Sequence, residues 1–290
     1  MYKCYPGKNV NDVLALADIK PMSINSVNKH ILRLNALMSY AAKEGIIATN
    51  PAQGLMLTDK RRDDELRKTY SAEDLEKILI NLPVDPERPE RFWIPIVAMY
   101  SGLRLDEICQ LYVDDIQLVD GIWCFNVNDE CDKKVKAESS KRIVPIHPEL
   151  ISKGFLCYVD RLISQKAPRL WMALSWRKED GYSNGFGNWY RRFNRQYVTD
   201  DPKKVFHSLR HMVADTLKQA GVQEVIIEEI LGHTHKSIST GRYGKRYQPK
   251  VLLEALKLIN YHNDLTKDTG PEHITCTIEY TQEQNPISDH

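Results

Sequence analysis

A chain of 290 residues, 42% hydrophobic and 27% charged, suits a globular protein with one large domain, or a large one and a small one. No apolar run reaches the length of a membrane span, and the opening "MYKCYPGKNVND" lacks the apolar core of a signal peptide, which argues against membrane and secreted classes. Net charge is only +1, but from His262 onward six acidic residues face one lysine; residues 1–261 carry 39 basic and 33 acidic side chains, a net of +6 that admits a polyanionic partner without demanding one.

Six scattered cysteines with no CxxC pair read as reduced thiols, so the expected location is the cytoplasm. Residues 22–48 read as one amphipathic helix, with Val27, Ile31, Leu34, Leu37 and Met38 at helical spacing and Lys29, Arg33 and Lys43 interleaved. "TNPAQGL" breaks it, and the charged run at 58–68, with Arg61 and Arg62, reads as a linker or a solvated loop. Ser71 is placed to cap a new helix, with Asp74 in capping-box position. The apolar helix "FWIPIVAMYSG" precedes "LRLDEICQL". "IQLVDGIWCFNVND" predicts a hairpin turning at Asp120-Gly121, and "KRIVPIHP" a further strand. From Pro148 the pattern is helical through "ELISKGFLCYVDRLIS", "NWYRRFNRQY", "FHSLRHMVADTLKQAG" and "VQEVIIEEILGH". The expected fold class is therefore α+β: mainly α with a small antiparallel β-sheet. The expected organisation is a short helical domain at 1–57, a linker at 58–68, a main domain at 69–262 and an acidic tail at 263–290. In the tail Ile274, Cys276, Ile278 and Tyr280 alternate with polar residues, so a strand is expected at 273–281, pairing with a sheet edge; a disordered tail is the competing reading.

Three stretches could carry chemistry. Arg104 follows a glycine where a helix begins, with Glu107 one turn on; a guanidinium there suits phosphate, although any helix may hold such a surface pair. His207 and Arg210 lie at i and i+3 on one helical face. His211, four residues after His207, invites a metal site completed by His233 or His235. Ser208 stands where an HExxH glutamate would be, and Arg210 would set a positive charge beside the cation, so phosphate is preferred to metal. Finally, "LGH" at 231–233 ends a helix, and Tyr243 follows ten residues later. A phenol is a weak nucleophile until its proton is removed, and arginines and histidines around a phosphate would help it attack phosphorus.

Together these stretches resemble the tyrosine recombinases of the phage-integrase family. The family's arginine sequence, G-hydrophobic-R-x-x-E, appears as Gly102-Leu103-Arg104-Leu105-Asp106-Glu107. Its H-x-L-R-H appears as His207-Ser208-Leu209-Arg210-His211, and its L-G-H as Leu231-Gly232-His233, followed by Tyr243. The order and spacing fit one domain, and the likeness covers roughly residues 65–260. A further family element, a lysine on the sheet ahead of an R-x-V-P strand, is met by Arg142-Ile143-Val144-Pro145; Lys136 fits the lysine best, Lys134 remains an alternative on the same strand face, and Lys141 fits less well. Members usually carry a core-binding domain longer than the stretch before residue 58, so the chain is expected to be a fragment or a short member.

The resemblance implies a site-specific DNA recombinase or integrase acting on phage or other mobile-element DNA through a 3′-phosphotyrosyl intermediate. Arg104, Arg210 and His233 would hold the phosphate, Tyr243 would attack, Lys136 would protonate the leaving oxygen, His207 would take the tyrosine proton, and Glu107 would brace the site. No metal, ATP or other cofactor is implied. The implied partners are double-stranded DNA at an attachment-type site, a homotetramer on DNA formed from free monomers, and accessory DNA-bending or directionality proteins. DNA contacts are expected from Lys29, Arg33, Lys43, Arg61 and Arg62. The competing readings are a type IB topoisomerase, a decayed DNA-binding accessory protein, and a metallohydrolase built on the clustered histidines.

Overall fold

The structure, a computed structural model, describes residue 7 and residues 9–16, 22–58, 68–178, 181–233 and 246–261. Arg61, Arg62, His235, Tyr243 and the strand expected at 273–281 lie outside the described residues. The chain divides into two compact units, residues 1–66 and residues 67–290.

In the first unit, α1 (Val10–Leu14) is capped reciprocally by Asn9 and Asp12, and α2 (Ile24–Lys43) is capped by the Ser23 hydroxyl. The sequence suggests a helix reaching residue 48. It ends at Lys43 instead, because Gly45 turns the chain with φ 71°. The chain then returns along α2: Asn28 exchanges hydrogen bonds with the Leu57 backbone (2.8 and 2.9 Å), and Asn50 Nδ2 donates to Asn35 Oδ1 at 2.6 Å. The apolar stripe expected on α2 does not form a core. Leu34 and Leu37 are 43% and 60% exposed, and among the described residues of this unit only Ala52 is buried. One helix and a returning segment supply no second layer to cover the stripe.

The second unit begins with α3 (Ala72–Asn81), where Ser71 and Asp74 form the expected capping box. Next, α4 (Glu90–Ser101) is apolar almost all round and buried almost throughout, the mark of a central helix. It stops at Gly102, whose φ is 65° and whose position leaves no room for a side chain: a Cβ would lie 2.6 Å from Leu231 Cδ2. After α5 (Leu105–Cys109), β1 (Ile116–Val119), β2 (Ile122–Val127) and β3 (Arg142–Pro145) form an antiparallel sheet in the order β1-β2-β3. The first hairpin turns at Asp120 and Gly121, both at positive φ (51° and 75°), as a two-residue turn requires. The second pairs Phe125 with Val144 and Val127 with Arg142.

The helical run after Pro148 is two helices rather than one, α6 (Pro148–Ser152) and α7 (Phe155–Ser164), because Gly154 takes φ 84° between them. Then come α8 (Ser183–Phe193), extended by a π-turn at Asn194–Val198, α9 (His207–Gln219), α10 (Glu224–Leu231) and α11 (Pro249–Leu256). α9 packs on α4, and both α10 and α11 pack on β3. In α9 Leu209, Met212, Val213 and Leu217 are buried, as their spacing predicts. The architecture is mainly α with one small antiparallel sheet, as expected, and it brings the ends of α4, β3 and α10 together.

Candidate active site

The αL turn at Gly102 ends α4 and hands the chain to Arg104, the N-cap of α5. Glu107 sits at the third position of that helix and reaches back to the cap: the Arg104 backbone N–H donates to its Oε2 at 2.9 Å, and Arg104 Nη1 donates to its Oε1 at 2.6 Å. From β3, Arg142 approaches the same carboxylate, with Nη1 3.2 Å from Oε1 and Nη2 3.0 Å from Oε2. Burial pushes the Glu107 carboxyl up. The charge and hydrogen bonds of Arg142, with the Arg104 N–H and charge, outweigh it and hold the group at about 2, so it is an anion at neutral pH.

The C-terminus of α10 faces this cluster. Its last carbonyls have no partner within the helix and form the negative end of its dipole. Three arginines take three successive ones: Arg142 Nε donates to Ile230 O at 2.7 Å, Arg210 Nη2 to Leu231 O at 2.5 Å, and Arg104 Nη2 to Gly232 O at 3.0 Å. Arg210 also donates to Gly102 O at 2.8 Å, which joins α9 to the end of α4. Burial, followed by the charges of Arg104 and Arg142, lowers Arg210 to about 9, which still leaves it a cation near neutral pH. Gly232 is the C′ residue of α10 at φ 66°, and a Cβ there would fall 2.7 Å from Arg142 Nη1. His233 follows directly. Desolvation, then the charges of Arg210 and Arg104, lowers its imidazole to about 4, so at neutral pH the ring is uncharged.

Two clefts meet at Arg104 and Lys136. One, of about 560 Å³, is also lined by Lys134, Trp176 and Tyr182; the other, of about 680 Å³, is lined by Ser139, Gly232 and His233. The family pattern led us to expect the lysine on a strand, which the structure corrects: Lys134 and Lys136 lie in the loop between β2 and β3. Side chains hold the first half of this loop in place of a ladder. Asp132 accepts from Tyr112 (2.8 Å), Tyr182 (3.0 Å) and Arg169; buried Lys133 pairs with Asp115; Gln110 bonds both the N–H and the carbonyl of Lys134 at 2.9 Å. Lys134 is thus tied at its backbone. Lys136, two residues on and exposed, is the lysine shared by the clefts on either side of Arg104.

Of the other candidates, His207 opens the helix that carries Arg210, and its ring meets that of His211 edge-on, 4.8 Å between centroids. Among the described residues no three His, Cys, Asp or Glu side chains gather as a metal-ligand set. Lys29, Arg33 and Lys43 are exposed on α2 in the first unit. The residue that sequence reasoning passed over is Arg142, read only as a marker of the strand. A signal existed: in R-I-V-P the arginine shares the inward face with Val144, and an arginine pointing into a core requires an anionic partner there.

The clefts are lined by Arg104, the neutral His233 and the exposed Lys136, with Arg210 buried behind them on the carbonyl next to that held by Arg104, a set suited to a phosphodiester. The chain is also similar to known proteins. The tyrosine recombinase XerA of Pyrococcus furiosus is 27% identical over 256 residues, covering 87% of this chain and 80% of that protein. A tyrosine recombinase of Thermosipho africanus is 23% identical over 250 residues, covering 81% of this chain and 82% of its own. Among solved structures, the XerH site-specific recombinase in a post-cleavage complex with a palindromic difH substrate aligns with a TM-score of 0.55 at 20% identity, covering 81% of this chain and 67% of that one. A lambda integrase dimer bound to a COC′ core site aligns at 0.51 and 19%, covering 77% and 74%. Among the described residues no helix is long and apolar enough to cross a membrane. The sequence profile of the phage integrase family matches residues 69–248, more than half of the chain, and the chain belongs to that family.

Proposed function

We propose that this protein is a site-specific DNA strand-transferase that cuts and rejoins double-stranded DNA through a 3′-phosphotyrosyl intermediate, without metal or ATP, and that it integrates or excises a phage or other mobile element in the cytoplasm. The observation that carries this reading is the seating of Arg104 and Arg210 on adjacent carbonyls at the end of α10, immediately before His233. Guanidiniums fixed in this way keep further N–H donors for the non-bridging oxygens of a phosphate, and need no reorganisation as negative charge builds on phosphorus. Tyr243 Oη attacks phosphorus; the new O–P bond forms as the P–O5′ bond breaks. The phenolic proton passes to His207, and Lys136 gives a proton to the departing 5′ oxygen. The 5′-hydroxyl of a partner strand reverses the step, so the ester energy is conserved. Glu107 holds Arg104 in place. The catalytic unit spans about residues 69–262, with residues 1–57 adding DNA contacts, and the protein assembles from monomers into a tetramer on its site, with accessory DNA-bending or directionality proteins.

A nicked suicide substrate tests the reading, because the nucleotide after the cut diffuses away and traps the covalent adduct. Adduct should form in EDTA with wild type and be absent with Tyr243→Phe, which should retain duplex binding. An SDS-resistant adduct from the phenylalanine variant would show that another residue is the nucleophile. Relaxation of supercoiled DNA without exchange of partners would point to a topoisomerase instead.

A further inference from the structure

We infer that Arg142 is a positioning residue for the phosphate site: it sets how Arg104 is held, and so how tightly the site takes a phosphate, without touching DNA itself. The inference rests on the phosphate reading of Arg104 and Arg210. Four of the five Arg142 N–H groups are already given to Ile230 O, Ser140 O and Glu107, whereas Arg104 lines both clefts with its side chain 19% exposed, so of this pair Arg104 has the path to a ligand. Facing Arg104 alone, the Glu107 carboxylate would draw its guanidinium into a two-pronged pair, the preferred geometry of those groups. Arg142 prevents this by placing one nitrogen on each carboxylate oxygen, at 3.2 and 3.0 Å. Arg104 is left with a single-pronged contact through Nη1, and its Nη2 is turned to the Gly232 carbonyl, toward His233.

Arg142 also fixes the two walls of this arrangement. Its Nε holds Ile230 O, at the end of α10, and its Nη1 holds Ser140 O at 2.7 Å, where the lysine loop rejoins β3. Ser140 Oγ in turn lies 3.4 Å from Arg104 Nη1. One guanidinium therefore ties Glu107, the α10 terminus and the base of the Lys136 loop to each other. An ammonium carries its donors on one nitrogen and cannot span acceptors that Arg142 reaches from three separate nitrogens, so lysine should fold here but not substitute.

The test uses Arg142→Lys, which keeps a charge beside Glu107, and Arg142→Gln, with native unfolding transitions required of each. Two readouts go beyond folding. In the first, inorganic phosphate is titrated into the free protein and followed by the His233 imidazole resonances. Arg142→Lys should weaken binding about tenfold or more, close to the loss in Arg104→Gln. In the second, adduct formation is compared on suicide substrates with an ordinary phosphate and with a methylphosphonate at the cleavage point. The neutral phosphonate asks less of a guanidinium, so a deficit of about 10²-fold on phosphate should shrink to under about fivefold on phosphonate. Unchanged phosphate binding, or equal losses on the two substrates, would overturn the inference. If wild type forms no adduct at all, the strand-transfer reading fails while the phosphate titration still decides the role of Arg142.

Discussion

Arg104 Nη2 donates to the carbonyl of Gly232 at 3.0 Å, across 128 positions of sequence. The residue that offers this carbonyl is a glycine for two reasons. The residue must turn out of α10 in the left-handed region, φ 66°, and must leave the space that the Arg142 guanidinium fills. Gly232→Ala should destabilise the protein by about 1–2 kcal/mol through backbone strain, and by more through displacement of Arg142. Covalent adduct should fall about 10²-fold, since shifts near 1 Å at a reacting centre have that effect. Gly232→Asn separates the two causes. Asparagine tolerates the left-handed region but still brings a Cβ, 2.7 Å from Arg142 Nη1. Thermal unfolding should recover only in part with asparagine, by the strain component, while adduct formation stays low; full recovery of stability and activity would mean that only φ matters.

Glu107 supplies the pH dependence. Its carboxyl titrates at about 2 in the fold, below the ordinary carboxylate range, so the unfolded chain binds its proton more readily. Its contribution to stability is complete above about pH 4.5 and is lost as the pH falls toward 2. Glu107→Gln leaves Arg142 and Arg104 without their shared anion and should cost about 3–5 kcal/mol at pH 7. Urea unfolding at several pH values checks this. The gap between wild type and variant should narrow steadily below pH 4.5; a gap independent of pH would place the stabilisation in shape and hydrogen bonding, not charge.

The parts of the site legible in the sequence are those fixed by local rules. Arg104 and Glu107 are an N-cap and its third residue, Ser71 and Asp74 are another such pair, and Asp120-Gly121 is a turn dipeptide with both residues at positive φ. The alternation in R-I-V-P points Arg142 inward, but its partners are not legible, because Glu107, Ser140 and Ile230 come from three segments that meet only once β3 is covered by α10. The lysine loop was misread as strand for a related reason. Its order comes from Asp132, Lys133 and Lys134 binding side chains elsewhere, and such anchoring leaves no periodicity. On α2 the spacing of Leu34 and Leu37 predicts a helix correctly, but a periodic stripe says nothing about whether a second layer exists to bury it.

Anchoring of the loop bears on which lysine would serve as the proposed general acid. The Lys134 backbone is pinned to Gln110, whereas Lys136 lies beyond the anchors on the clefts that flank Arg104. Lys136→Ala should slow cleavage of an ordinary substrate by about 10²–10⁴-fold, the usual span for losing a general acid. On a substrate whose leaving 5′ atom is sulfur, the loss should nearly vanish, since a thiolate departs without a proton. Lys134→Ala should show a small effect, equal on both substrates. If the sulfur rescue appears with Lys134→Ala instead, the acid is two residues earlier.

The proposed DNA contacts of the first unit lie on one face of α2. At about 100° per residue, Lys29, Arg33, Ala36, Tyr40 and Lys43 fall within an arc of about 80°. All five are exposed, while Val27, Ile31, Met38 and Ala42, on the opposite side, are partly covered. The helix contains no acidic residue, so nothing on it offsets the three cations. A row of positive side chains interrupted only by a small residue and one aromatic suits a phosphate backbone, where contacts add affinity but not base choice. Each contact releases about one condensed counterion, so replacing Lys29, Arg33 and Lys43 by alanine should lower the slope of log K against log salt by about 2.7. Binding at low salt should weaken to a similar degree on specific and unrelated duplexes. Adduct formation at saturating DNA should persist, because these side chains belong to a different unit from Arg104 and Arg210. Fluorescence anisotropy across a salt series measures the slope directly. An unchanged slope would mean that this face points away from DNA and that the first unit binds through residues other than these three.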